Sequence, residues 1–167
     1  MKALFLATYL VAIIVSFVGY TMLPDHVATH FGLGGQPDDW MSKEVSLVFF
    51  LVVKTMLFLL IWYTPAMVTR LPSRWVNLPN KDYWLTESTM PQVKEKLDRL
   101  MPEFGAAIMA FFIMVKLLVL DANLSEPVQL NERVFLAGLG LFLAYVVFWT
   151  IRIYRGFRIP AATKGFD

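Results

Sequence analysis

Four long apolar segments constrain this chain more than any other feature of its sequence. They cover residues 3–22, 45–68, 104–120 and 134–151, and the only charged side chains within them are Lys54 and Lys116. A core strand has about 4–8 residues, whereas about 20 apolar residues make a helix that crosses a bilayer. The sequence therefore predicts an all-α integral membrane four-helix bundle, with residues 1–167 as a single domain.

Lysine and arginine residues outside these segments are unevenly distributed. Eleven lie at the N-terminus, in the 70–103 connection or in the C-terminal tail, where Lys164 is the last of them. Only two, Lys43 and Arg133, lie in the other two connections. Because basic residues accumulate on the cytoplasmic side, we expect both termini and the 69–103 loop in the cytoplasm. The 23–44 connection would then form an outer cap loop.

The two lysines inside the apolar segments are unusual, since a cation at the membrane centre costs about 3 kcal/mol. Lys54 would lie about 13 Å deep and Lys116 about 7 Å deep, at 1.5 Å per helical residue. Lys116 can extend its ammonium group to the surface. Lys54 needs a partner, for which we consider an acidic residue of the 23–44 loop, helix-end carbonyls or water. Alternatively, both lysines line a path for an anion or a proton.

The 23–44 loop carries a run of turn-forming, polar and aromatic residues. A helix that begins at Pro24 would place His26 and His30 on one face, where imidazoles beside carboxylates are weak candidates for binding a divalent metal. His30 could instead hydrogen-bond to the loop backbone, or respond to pH. The residues we single out as a ligand-binding or structural motif are Pro24, His30, Phe31, Gly35, Asp38 and Lys43.

The 69–103 loop has a turn-rich first half and a helical second half. From Thr89 the sequence predicts an amphipathic helix whose apolar stripe includes Val93 and Leu97. We expect this stripe to lie on the inner leaflet or to dock a partner. The turn-rich half contains a second motif, made of Asn77, Pro79, Asn80, Lys81, Asp82, Tyr83 and Trp84.

Together the two motifs, LPDxxxxHFxxxGxxD and NLPNKDYWL, resemble a bacterial and archaeal membrane domain of unknown function. That domain forms the N-terminal part of the SdpI-type immunity proteins, and this chain looks like a short four-span member of the group. The chain has Ala28 where members of the group often have proline. The resemblance implies a location in the prokaryotic cytoplasmic membrane and a role in immunity or in sensing at the cell envelope.

The residues themselves favour a protein that is not an enzyme. The sequence contains no cysteine, no phosphate-binding loop and no HExxH pattern. We expect no cofactor, apart from the possible divalent metal, and no nucleic-acid partner. The lipid bilayer is the expected partner, together with a peptide or protein or a second copy of the chain. The alternatives are a small transporter or channel that uses Lys54 and Lys116, and an accessory subunit of a membrane complex.

Overall fold

The computed structural model describes residues 1–160, so Lys164 lies outside the described part of the chain. The elements of residues 1–160 are α1 (Lys2–Met22), β1 (His26–Phe31), β2 (Pro37–Ser42), α2 (Lys43–Val68), α3 (Lys81–Trp84), α4 (Met90–Leu124) and α5 (Glu132–Gly156). Helices α1, α2, α4 and α5 are each long and apolar enough to cross a membrane. The prediction of an all-α protein with four potential membrane spans is therefore confirmed, and the chain has the character of a multi-pass membrane protein.

Helix α4 is at the centre of the bundle, because α1, α2 and α5 all pack against it. One close approach involves Phe5 of α1, whose ring lies over Gly105 of α4. A methyl group at Gly105 would lie only 2.5 Å from that ring. Ala12, Ala106 and Met109 complete the buried contact between these two helices. Small residues therefore let α1 and α4 approach closely, as is common in membrane bundles.

Helix α4 has 35 residues and is about 52 Å long, well beyond the roughly 30 Å of hydrocarbon in a bilayer. The predicted amphipathic helix and the predicted third span, 104–120, are thus one continuous helix that passes through Pro102. The prediction of a separate helix lying on the leaflet is wrong. Its apolar stripe, with Val93 and Leu97, is buried inside the protein against Trp84 and other side chains of the preceding loop.

The predicted cap loop contains an antiparallel β-hairpin, in which His26 pairs with Ser42 and Val27 with Met41. The prediction that a helix begins at Pro24 is therefore wrong for residues 26–31. The reason is tertiary, because the backbone of β1 finds its hydrogen-bond partners in β2 and in a side chain of α4. We call this end of the bundle the hairpin end. The other end, which carries the N-terminus and the 69–89 loop, is the loop end.

Candidate functional site

Lys54 is buried in the hairpin half of the bundle, with only 2% of its surface exposed. Its ammonium group donates hydrogen bonds to the hydroxyl of Ser16 and, over 3.4 Å, to the carbonyl of Ala12. The Ser16 hydroxyl in turn donates to the same Ala12 carbonyl over 2.8 Å. Lys54 is thus held by two neutral oxygen atoms of α1, which accept hydrogen bonds from it without neutralising its charge.

The hypothesis that an acidic residue of the 23–44 loop pairs with Lys54 is wrong. Among residues 1–160, no carboxylate forms an ion pair with Lys54. The two best-placed acids have other partners, since Asp38 binds His30 and Asp25 binds Lys43. Both pairs lie in or beside the hairpin, away from the buried ammonium group.

Lys116 of α4 also turns towards α1. Its side chain crosses Gly19, where an added methyl group would lie 3.1 Å from Cε and 3.7 Å from Nζ of the lysine. Within the described residues, no ion pair and no side-chain hydrogen bond involves this ammonium group. Ala12, Ser16 and Gly19 follow each other at helical spacing, so one small-residue face of α1 accommodates both lysines.

Both lysines line one cavity of about 280 Å³ between α2, α4 and α5, which we call the lysine cavity. Helices α2 and α5 both pack on α4, and the cavity fills the groove between them. Apart from the lysines and Ser46, its walls are aromatic and aliphatic: Phe50, Phe111, Phe112, Val115, Val119, Phe135 and Leu139. The wall of the lysine cavity therefore combines two lysine side chains with aromatic and aliphatic ones.

A second cavity, of about 430 Å³, adjoins the lysine cavity on the side of the hairpin. The two share four wall residues: Phe50, Val115, Val119 and Phe135. Thr29, His30 and Phe31 of β1 line the second cavity from above, and Glu132 at the start of α5 is its acidic residue. The hairpin thus covers the space that leads to the lysines.

The hairpin itself is held by two polar pairs. Nδ1 of His30 lies 2.5 Å from Oδ1 of Asp38, and Nζ of Lys43 lies 2.8 Å from Oδ1 of Asp25. The hydrogen bond and the charge of Lys43 hold the pKa of Asp25 below its usual value. His30 therefore has a carboxylate partner, and the expectation that it bonds to the loop backbone is not what the structure shows.

A metal site was a weaker expectation for His26 and His30. Within residues 1–160, no three histidine or acidic side chains are grouped closely enough to hold a metal ion. His26 and His30 lie on a strand, and His30 is in contact with Asp38, so the residues provide at most one adjacent imidazole–carboxylate pair. Metal binding at this end of the protein stays a prediction without geometric support.

Two further contacts fasten the hairpin to the rest of the bundle, and sequence reasoning missed both. The buried amide of Asn123 accepts from the N–H of Ala28 over 2.7 Å and donates to its carbonyl over 3.0 Å, like an extra strand. Buried Gly35 accepts from the N–H of Leu130 over 2.9 Å. A lone asparagine near the end of an apolar helix was the available signal, because such a side chain needs a partner.

The second motif lies at the loop end, far along α4 from the lysine cavity. Asn80 and Trp84 both donate to the carbonyl of Phe157, over 2.7 and 2.8 Å, and the ammonium group of Lys96 lies 4.1 Å from the centre of the Trp84 ring. Lys96 also donates to the carbonyl of Gly156. Of the other motif residues, Asn77, Lys81 and Asp82 are exposed, and Pro79 and Tyr83 are half-buried. The motif therefore binds the Phe157 carbonyl and Lys96 binds the Gly156 carbonyl, two groups at the C-terminal end of α5 that lack helical partners.

The individual residues of the first motif differ in exposure. Pro24, His30 and Asp38 are exposed, Phe31 and Lys43 are half-buried, and Gly35 is buried. Three of the six, His30, Phe31 and Gly35, line the second cavity, but none of the six lines the lysine cavity itself.

Comparison with known proteins gives one match. The profile of one protein family, described as a domain of unknown function (DUF1648), matches residues 7–55. No curated protein and no solved structure matches the chain. The match covers most of α1, the hairpin and the first half of α2, so it includes Ser16 and Lys54 and ends before the second motif. This chain is thus similar, over its first third, to a domain whose function is unknown.

Proposed function

We propose that this protein is a non-enzymatic membrane protein that binds an anionic ligand in the lysine cavity, in a sensing or immunity role at the cell envelope. One observation carries the proposal: Lys54 and Lys116 line the same cavity, and none of the described residues that line it is acidic. Two like charges at membrane depth are costly, and an anion between them lowers that cost.

The position of the hairpin supports a sensing role. It covers the second cavity and is fastened to α4 and to the α4–α5 connection, so a ligand that enters from this end must contact it. The excess of basic residues at the other end favours the hairpin end as the outer one. Under this orientation the ligand arrives from outside the cell or from the outer leaflet, as the resemblance to SdpI-type proteins also suggests.

A route for coupling to the cytoplasm is provided by α4. This helix carries Lys116 in its second half and packs on Trp84 through Val93 and Leu97 in its first half. A shift of α4 on ligand binding would therefore disturb the motif at the loop end. We expect this motif to transmit the signal to a cytoplasmic partner.

A catalytic role fits the geometry less well, even though Ser16 and Lys54 form a hydrogen-bonded serine–lysine pair. Only 1% of Ser16 is exposed, and it lines neither cavity, so a substrate held there cannot reach its hydroxyl. A nucleophile must approach the reacting atom to within about 3 Å. We therefore assign Ser16 to holding Lys54 and not to catalysis.

The proposal is tested by melting the purified protein in phosphatidylcholine nanodiscs with acetate or inorganic phosphate. Both anions should raise the melting temperature of the wild type but not that of the Lys54→Met/Lys116→Met variant. Lys81→Met is the control, since it removes an exposed lysine of the loop end outside the cavity, and it should respond like the wild type. Equal shifts in the wild type and the double variant would refute an anion site at these lysines.

A transport function is the second candidate, favoured by the contiguity of the two cavities. Anion flux through proteoliposomes separates the two functions. Binding without flux supports a sensing role, whereas flux that the double variant abolishes would replace it with transport.

A further inference from the structure

We infer that the ligand of the lysine cavity is a single-chain amphiphile, with a carboxylate or phosphate head at Lys54 and Lys116 and a hydrocarbon chain along the apolar wall. This inference rests on the proposed anion site and adds the chemical class of the ligand. Three features of the cavity lead to it: its charge, the chemistry of its wall and its position between lipid-facing helices.

The charge places the head group. The lysine cavity is lined by two lysines and, among the described residues, by no acidic residue, whereas the second cavity is lined by Glu132. An anion is attracted to the first and repelled from the second. The head group therefore belongs beside the lysines, where Lys116 still has unused hydrogen-bond donors.

The wall selects the rest of the ligand. Seven of the ten wall residues are aromatic or aliphatic, and outside the two lysines only the Ser46 hydroxyl offers a polar side chain. A peptide in this space would leave its own N–H and C=O groups without partners, which disfavours its binding. A hydrocarbon chain has no such groups. It also gains free energy for each CH₂ group that it buries.

The position of the cavity provides a path of entry. It lies in the groove between α2 and α5, two helices whose remaining surface is apolar and largely exposed in the isolated chain. Helix α5 has Trp149 as its buried residue, so most of this helix faces the bilayer. A lipid chain can therefore enter sideways from the bilayer without crossing water.

The experiment is photo-crosslinking in phosphatidylcholine nanodiscs with a 12-carbon acid that carries a diazirine at the end of its chain. We expect crosslinks to wall residues of the lysine cavity, and an at least tenfold lower yield in the Lys54→Met/Lys116→Met variant. Lys81→Met, at an exposed position of the loop end, should label like the wild type. The corresponding 12-carbon alcohol should label the cavity at least tenfold less than the acid, because it has no charge.

Competition separates the ligand class from the anion site. Dodecanoate or dodecyl phosphate should suppress the crosslinks at concentrations at least tenfold below those at which acetate does, and a preference between the two identifies the head group. If acetate competes as well as dodecanoate, the anion site stands and the hydrocarbon chain is refuted. If neither acetate nor dodecanoate competes, or if the alcohol labels as well as the acid, the inference is overturned. If acetate also fails to raise the melting temperature of the wild type, the anion site is refuted too.

A cavity-filling variant covers the case in which the double lysine variant does not fold. Leu139→Trp leaves both lysines in place and puts a larger side chain of α5 into the lysine cavity, which reduces its volume. It should abolish crosslinking by the 12-carbon acid while acetate still raises the melting temperature. Unchanged crosslinking in this variant would show that the chain lies elsewhere and would refute the inference.

Discussion

The docking of the hairpin can be tested at two neighbouring glycines that have nearly the same positive φ angle. Gly34 and Gly35 have φ angles of +74° and +73°, in the left-handed region that side chains avoid. They differ only in their surroundings. A methyl group on Gly34 would meet nothing within 4 Å, whereas one on Gly35 would overlap the carbonyl of Leu130 in the α4–α5 connection.

The expected losses of stability follow from the left-handed backbone conformation and from the steric overlap with Leu130. The left-handed conformation costs an alanine about 1 kcal/mol at either position. At Gly35 the added methyl group also forces apart two packed backbones, which costs about 1–3 kcal/mol more. Gly34→Ala should therefore lower the free energy of unfolding by about 1 kcal/mol and Gly35→Ala by about 3 kcal/mol.

The assay is reversible unfolding of the purified protein in mixed micelles, followed by circular dichroism. Gly34→Ala serves as the matched control, because it carries the same backbone strain without the collision. The difference between the two variants, about 2 kcal/mol, measures the contact between the hairpin and the α4–α5 connection. Equal losses would mean that the hairpin does not dock against Leu130, and the covered cavity would have to be abandoned.

Three other substitutions probe the two ends of the bundle. Asn123→Ala should cost about 3 kcal/mol of unfolding free energy and speed hydrogen exchange at Ala28, because two buried backbone groups lose their partner. Since Lys43 lowers the pKa of Asp25, their pair stabilises the hairpin above the usual carboxyl pKa. That contribution disappears as the pH falls through the lowered pKa, and Lys43→Met should remove this acid dependence from thermal melts. Trp84→Phe should cost about 1 kcal/mol in the same melts, because one hydrogen bond to the end of α5 is lost.

Each of these expectations has a control in the chain. Asn77→Ala removes an exposed asparagine and should leave stability unchanged, so an equal effect at Asn123 would contradict the role of its amide. An acid titration of Lys43→Met that matches the wild type would show that Asp25 does not contribute through this pair. Lys81→Met, at an exposed position three residues before Trp84, should not affect the end of α5.

The four potential spans could be predicted from sequence because length and apolarity are local properties. Twenty apolar residues cannot avoid forming a helix in lipid, whatever the rest of the chain does. Local reasoning failed where tertiary contacts replaced local preferences. Residues 26–31 pair with β2 instead of forming a helix, and the stripe of Val93 and Leu97 is buried by the loop that precedes it.

The candidate site was likewise predictable where it depends on local sequence and not where it depends on tertiary contacts. That Lys54 and Lys116 lie inside potential membrane spans followed from the sequence, because this depends only on counting apolar residues along the chain. The sequence could not show that they line one cavity, since this depends on how α2 and α4 are rotated about their axes. The partner of Lys54 was predicted wrongly for the same reason. Ser16 becomes that partner only because its face of α1, with Ala12 and Gly19, is small enough to pack against the lysines.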